Sequence, residues 1–157
     1  MTRNIQKAKR LREVLLDGTW IANTNFKDQL SRTTWEQATT KIGSLNTIAV
    51  LTFHINYYLG GVLQVLEGGS LDIKDKFSFE MPAISSEEEW QTLKNSMWQN
   101  AKKFETRLEE MPDAKLEEGF VDEKYGTYER NLEGMIEHCY YHLGQIVLIR
   151  KMITEQD

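Results

Sequence analysis

The sequence predicts an all-α protein, a four-helix bundle in up-down-down-up order with a long crossover between the second and third helices. Two observations carry the prediction of a bundle. Apolar residues recur at helical steps of three, four and seven through four long stretches, and little reads as strand. The only two prolines, Pro82 and Pro112, fall between those stretches. A chain of 157 residues is long enough for one core, so a single domain spanning 1–157 is expected.

The first predicted helix runs from about residue 5 to 31, with Leu11, Val14, Leu15, Ile21, Ala22 and Leu30 as its buried stripe. Thr33 and Glu36 then read as a capping box for a short helical turn. The second helix spans Ser44 to Glu67, with Ile48, Leu51, Ile55, Leu59, Val62 and Leu66 on its apolar face. Gly68 and Gly69 stop it. In the third, Ser85 or Ser86 caps the start, and Glu87, Glu88 and Glu89 sit against the positive end of the helix dipole. The helix continues to Met111, before Pro112. The fourth starts near Thr127 and runs almost to the end of the chain through Leu132, Ile136, Cys139, Leu143, Ile146 and Ile149.

The linker from Gly68 to Ser85 bears on the topology. Its eighteen residues can extend on the order of 60 Å, whereas the second helix is only about 36 Å long. The chain can therefore cross the whole bundle before the third helix begins, which would make the second and fourth helices antiparallel; strict up-down alternation stays open, because a long loop permits a crossover without requiring one. Phe77, Phe79 and Met81 in "DKFSFEMP" read either as a loop pinning itself to the bundle or as an interface segment.

Composition excludes several classes of function. A net charge of -5 argues against nucleic-acid binding, which needs a concentrated basic surface. The basic start "MTRNIQKAKRLR" leads into "EVLLDGTW" and not into an apolar core, so no secretory signal is expected. No apolar run is expected to approach the ~18 residues of a membrane span. A single cysteine, Cys139, fits a reducing compartment, and the expected location is the cytoplasm.

The histidines carry the chemistry. His138 and His142, four apart, project from one face of the fourth helix, and His54 lies mid-way along the second among core residues. Three neutral imidazoles from two helices make a three-nitrogen site with open positions, as in a catalytic metal centre. Zinc or nickel comes first, with iron, copper and manganese as alternatives. Gln145 is placed to support His142 in the outer shell. Glu137, Tyr57, Tyr58 and Tyr141 are candidates for an acid or base, with Glu133 a further carboxylate on the same helix. Gly61 and Gly134 lie on the histidine-bearing faces, where missing side chains would open a pocket beside the metal. Close packing is the competing account of both. Cys139 reads as a small core residue.

With "LTFHINYYLGGVL" in the second helix and "HCYYHLGQI" in the fourth, the chain resembles the DinB/YfiT-like family over essentially its whole length, Ile5 to about Ile153. The resemblance implies a homodimeric four-helix bundle that binds a divalent metal through His54, His138 and His142. Relatives of known activity include transferases and isomerases that use low-molecular-weight thiols. The expected function is a metal-dependent enzyme that activates a thiol or water toward a small-molecule substrate, as a thiol transferase, isomerase or hydrolase. The alternative is a non-catalytic bundle, cross-linked by metal and acting as a dimeric interaction protein.

Overall fold

The computed structural model describes residues 1–155. It is all-helical, with no strand among the described residues beyond one isolated bridge between Gly119 and Thr127. The α-helices are α1 (Arg3–Arg12), α2 (Phe26–Ser31), α3 (Trp35–Thr39), α4 (Ile48–Leu66), α5 (Glu87–Glu110) and α6 (Tyr128–Thr154). Helices α1, α4, α5 and α6 enclose a continuous core that runs from Ala8 to Ile153 and includes Phe26, Ile55, Trp90, Phe104, Leu116 and Ile146.

The long helices begin where their caps dictate. Thr47, Ser86 and Thr127 each accept a hydrogen bond from the backbone N–H three residues on, starting α4, α5 and α6. At Ser86 the cap is doubled, because the Glu89 carboxylate accepts from both the N–H (2.7 Å) and the hydroxyl (3.0 Å) of Ser85. Helix α4 ends at Gly68, whose φ of 88° is left-handed and favours glycine.

The first predicted helix is broken, which corrects the expectation of continuity from 5 to 31. Helix α1 widens into a π turn over Glu13–Asp17 and stops at Gly18, where a Cβ would lie 2.1 Å from Glu13 Cγ. Asn25 then starts α2 by accepting from the Asp28 N–H (2.8 Å) while donating to the Gly18 carbonyl (3.0 Å). Competition from asparagine side chains for backbone groups outweighs the helical periodicity here. Trp20 and Ile21 end up 87% and 64% exposed, and Ala22 is also exposed. A second correction concerns the short turn after α2. Its capping box is Thr34 with Gln37, one residue later than Thr33 with Glu36. Thr33 instead bonds back to Gln29 and accepts from the Trp90 indole (2.8 Å).

Specific pairs set the register of the helices. Asn4 donates to the Leu108 and Met111 carbonyls at the end of α5 (2.9 and 2.6 Å). Lys7 pairs with Glu129 and Glu133 on α6 (both 2.9 Å). Asn56 donates to Ser96 and accepts from Asn100 on α5 (3.0 and 2.8 Å), and Glu67 meets Arg107 further along (3.6 Å). By length and composition Ile48–Leu66 could cross a membrane, its best window having a mean hydropathy of 1.3. Thr52, His54 and Asn56 break up its apolar run, which is why the sequence does not read as a span. Buried over 61% of that window, it is a core helix of this fold.

Candidate metal centre

Helices α4 and α6 bring the three histidines together, with one ring nitrogen of each within 4.8 Å of the others. His54 and His142 are only 4% and 5% exposed, and His138 is half-buried. His138 Nε2 lies 3.1 Å from His54 Nε2 and 2.9 Å from His142 Nε2. Two nitrogens about 2.1 Å from a shared ion are about 3.0 Å apart at a right angle and about 3.4 Å apart at the tetrahedral angle. The two separations that involve His138 fall close to these values, so its ring nitrogen is near enough to each of the other two to share an ion.

Proton placement shows why a cation fits. His54 Nδ1 faces the Ser78 carbonyl (3.2 Å), which can only accept, so Nδ1 carries the proton and Nε2 keeps its lone pair. His142 Nδ1 faces Gln145 Oε1 (2.7 Å), with the same result. Both lone pairs then point at His138 Nε2. A proton there could satisfy only one of them well, whereas a cation among the three nitrogens satisfies them all. The rings are also kept neutral, as ligands must be. Burial and the neighbouring His142 depress His54 to about 4, and burial with the other two rings depresses His138 to about 4. Burial also lowers His142, against the opposing pull of Gln145.

Aromatic side chains wall the cluster. Phe79 stacks on His54 (centroids 4.0 Å apart, planes at 11°). Tyr58 stands edge-on to His54 and His138 (5.0 and 5.3 Å). Tyr141, 64% exposed, stands edge-on to His142 (4.9 Å). The Tyr58 hydroxyl donates to Asp75 (2.8 Å), and burial followed by that carboxylate raises its pKa. The Tyr57 hydroxyl is held by the backbone of Lys74.

Other expected participants stand elsewhere. Glu137 is exposed and pairs with Arg130 (3.3 Å), and Glu133 is committed to Lys7. Neither joins the cluster, because helical phase turns their carboxylates away. Gly61 does not open a cavity, since a Cβ there would lie 2.5 Å from Ile73 Cγ2, and the crossover link occupies the space. The close approach of that link explains this glycine. Gly134 does face open space. Cys139 is fully buried, and burial raises its thiol pKa, as suits a core residue. A cavity of about 350 Å³ lies beside the centre, lined by Leu45, Leu51, Gln145, Leu148 and Ile149.

Ser78, Phe79 and Asp75 are site residues that sequence reasoning missed. The available signal was "DKFSFEMP", two aromatic residues flanking a serine in a linker long enough to fold back on α4. Comparison of the chain with protein-family models, with curated proteins and with solved structures finds no match.

Proposed function

We propose that this chain is a divalent-metal-binding protein of the DinB/YfiT-like kind, a metal-dependent enzyme acting on a small-molecule substrate. The observation that carries the reading is the convergence of three neutral imidazoles with two lone pairs aimed at the third ring. The helix register supports the up-down-down-up order. Asn56 and Glu67 on α4 meet Asn100 and Arg107 on α5 in parallel sequence, while the start of α1 meets the end of α5.

When bound, a divalent ion would supply Lewis acidity and lower the pKa of a coordinated water or low-molecular-weight thiol. Three imidazole nitrogens suit zinc or nickel first, with iron, copper and manganese as further candidates. His54 and His142 hold their lone pairs inward through Ser78 and Gln145. Phe79 and Tyr58 keep water off the ring faces, and exposed Tyr141 is the residue we assign to exchange a proton at the rim. Thiol transfer, thiol-assisted isomerisation and hydrolysis are all consistent with such a centre, in a cytoplasmic setting.

A second reading, a metal-cross-linked dimer without catalysis, draws on the exposed Tyr141 and Leu148 of α6. Exchangeable water on the ion favours the enzyme, whereas a fourth protein ligand favours the structural role. Elemental analysis of untagged protein, with melting curves in and out of chelator, tests both. One ion per chain and a lower Tm in chelator are expected. Metal-free protein with an unchanged Tm refutes both readings.

A further inference from the structure

The link between α4 and α5 touches α4 along one stripe, at His54, Tyr57, Tyr58 and Gly61. These positions are separated by three, four and seven residues and so share a face. Ile73 fills the gap left by Gly61. The Tyr57 hydroxyl donates to the Lys74 carbonyl (3.1 Å) and accepts from its N–H (2.9 Å). Tyr58 donates to Asp75 (2.8 Å). The Ser78 carbonyl accepts from His54, and Phe79 stacks on the same ring. The face that presents a metal ligand is therefore the face that holds the link. Between these anchors Lys74 and Lys76 are exposed.

We propose that Ile73–Phe79 is a strap whose docking is coupled to metal occupancy, with the Ser78 carbonyl positioning His54 and Asp75 positioning Tyr58. This rests on the metal-binding reading above. An imidazole that gives its Nε2 lone pair to a cation becomes a stronger donor at Nδ1, so its bond to Ser78 tightens. Linkage makes the effect reciprocal. If the ion favours the docked strap by some factor, the docked strap favours the ion by the same factor. Outer-shell partners of this kind typically change metal affinity by about 10- to 100-fold. A histidine satisfied by a passing loop would show no such coupling.

The experiment follows zinc uptake by competition with a chromophoric chelator, then maps tryptic cleavage by mass spectrometry. Zinc should slow cleavage after Lys74 and Lys76 by about 10-fold and leave cleavage after exposed Lys124, in the segment between α5 and α6, unchanged as an internal control. Gly61→Ala pushes a methyl group into Ile73 and should lift the strap. It should speed metal-free cleavage at both lysines and weaken zinc binding about 10-fold. Tyr58→Phe, which keeps the ring and loses the bond to Asp75, should shift both readouts the same way and serves if Gly61→Ala fails to fold by circular dichroism. Zinc binding without protection of Lys74 and Lys76 overturns the proposal. So does faster cleavage in the variants at wild-type zinc affinity, or unchanged cleavage in both. If the wild type takes up no zinc, the metal-binding reading itself fails, and the titration shows this before protease is added.

Discussion

Acidifying the metal-free protein from pH 7 to pH 5 should destabilise it through the histidine cluster. His54 is depressed from 6.5 to about 4, so in this range the unfolded chain takes a proton that the folded chain refuses. Stability is then full above pH 6.5, falls as the pH drops through the window from 6.5 to about 4, and levels off below it. At pH 5 the chain is about 1.5 units into that window, and each unit is worth about 1.4 kcal/mol, so one histidine contributes about 2 kcal/mol. His138 is depressed to the same level, but the two rings repel each other and titrate as a pair. The total therefore lies between about 2 and 4 kcal/mol, a Tm loss of roughly 5 to 15 °C for a chain of this size. The carboxylates of Asp113, held low by the Asn4 and Arg3 amides, and of Glu133, held low by Lys7, stay ionised at pH 5 and add little. The assay is a melting curve in chelator at both pH values, for the wild type and for the combined variant His54→Gln, His138→Asn, His142→Asn. An equal acid-induced loss in that variant would refute the reasoning.

Other positions give independent checks. Gly134→Ala meets nothing within 4 Å and removes a helix-interior glycine, so it should raise stability by about 1 kcal/mol while zinc uptake is spared; a fall in either, read by chemical denaturation and chelator competition, contradicts the open space assigned there. Gln145→Leu removes the acceptor 2.7 Å from His142 Nδ1 and should weaken zinc binding at least about 10-fold, whereas unchanged affinity would mean that the amide does not orient the ring. Trp90→Ala empties a fully buried site and orphans the Thr33 carbonyl, and should cost about 3–5 kcal/mol in urea denaturation.

The starts of the later long helices and the shared face of His138 and His142 were readable because local rules govern them. Thr127 and Ser86 begin helices for the reason capping residues usually do, and His138 with His142 share a face by helical geometry alone. Failures came where a distant or competing group decides. Asn25 and Gly18 end a stripe whose periodicity would have continued. Gly61 suggests a void until Ile73, twelve residues on, is seen to fill it. Ser78 contributes only its backbone oxygen, which no residue type announces. Glu137 looked close in sequence, yet its phase on α6 directs it to Arg130.

Two of the three ring nitrogens ride on one rigid rod and the third on another, so the trio measures axial slip between α4 and α6. A single residue's rise is about 1.5 Å, while bonds from nitrogen to a divalent ion tolerate only about 0.2 Å. If the centre holds an ion as proposed, repacking that slides these rods by a fraction of one step would weaken its binding. Under the proposed reading the centre would act as a vernier on the alignment of the whole scaffold, and mutations far from any imidazole should announce themselves first as a change in ion uptake.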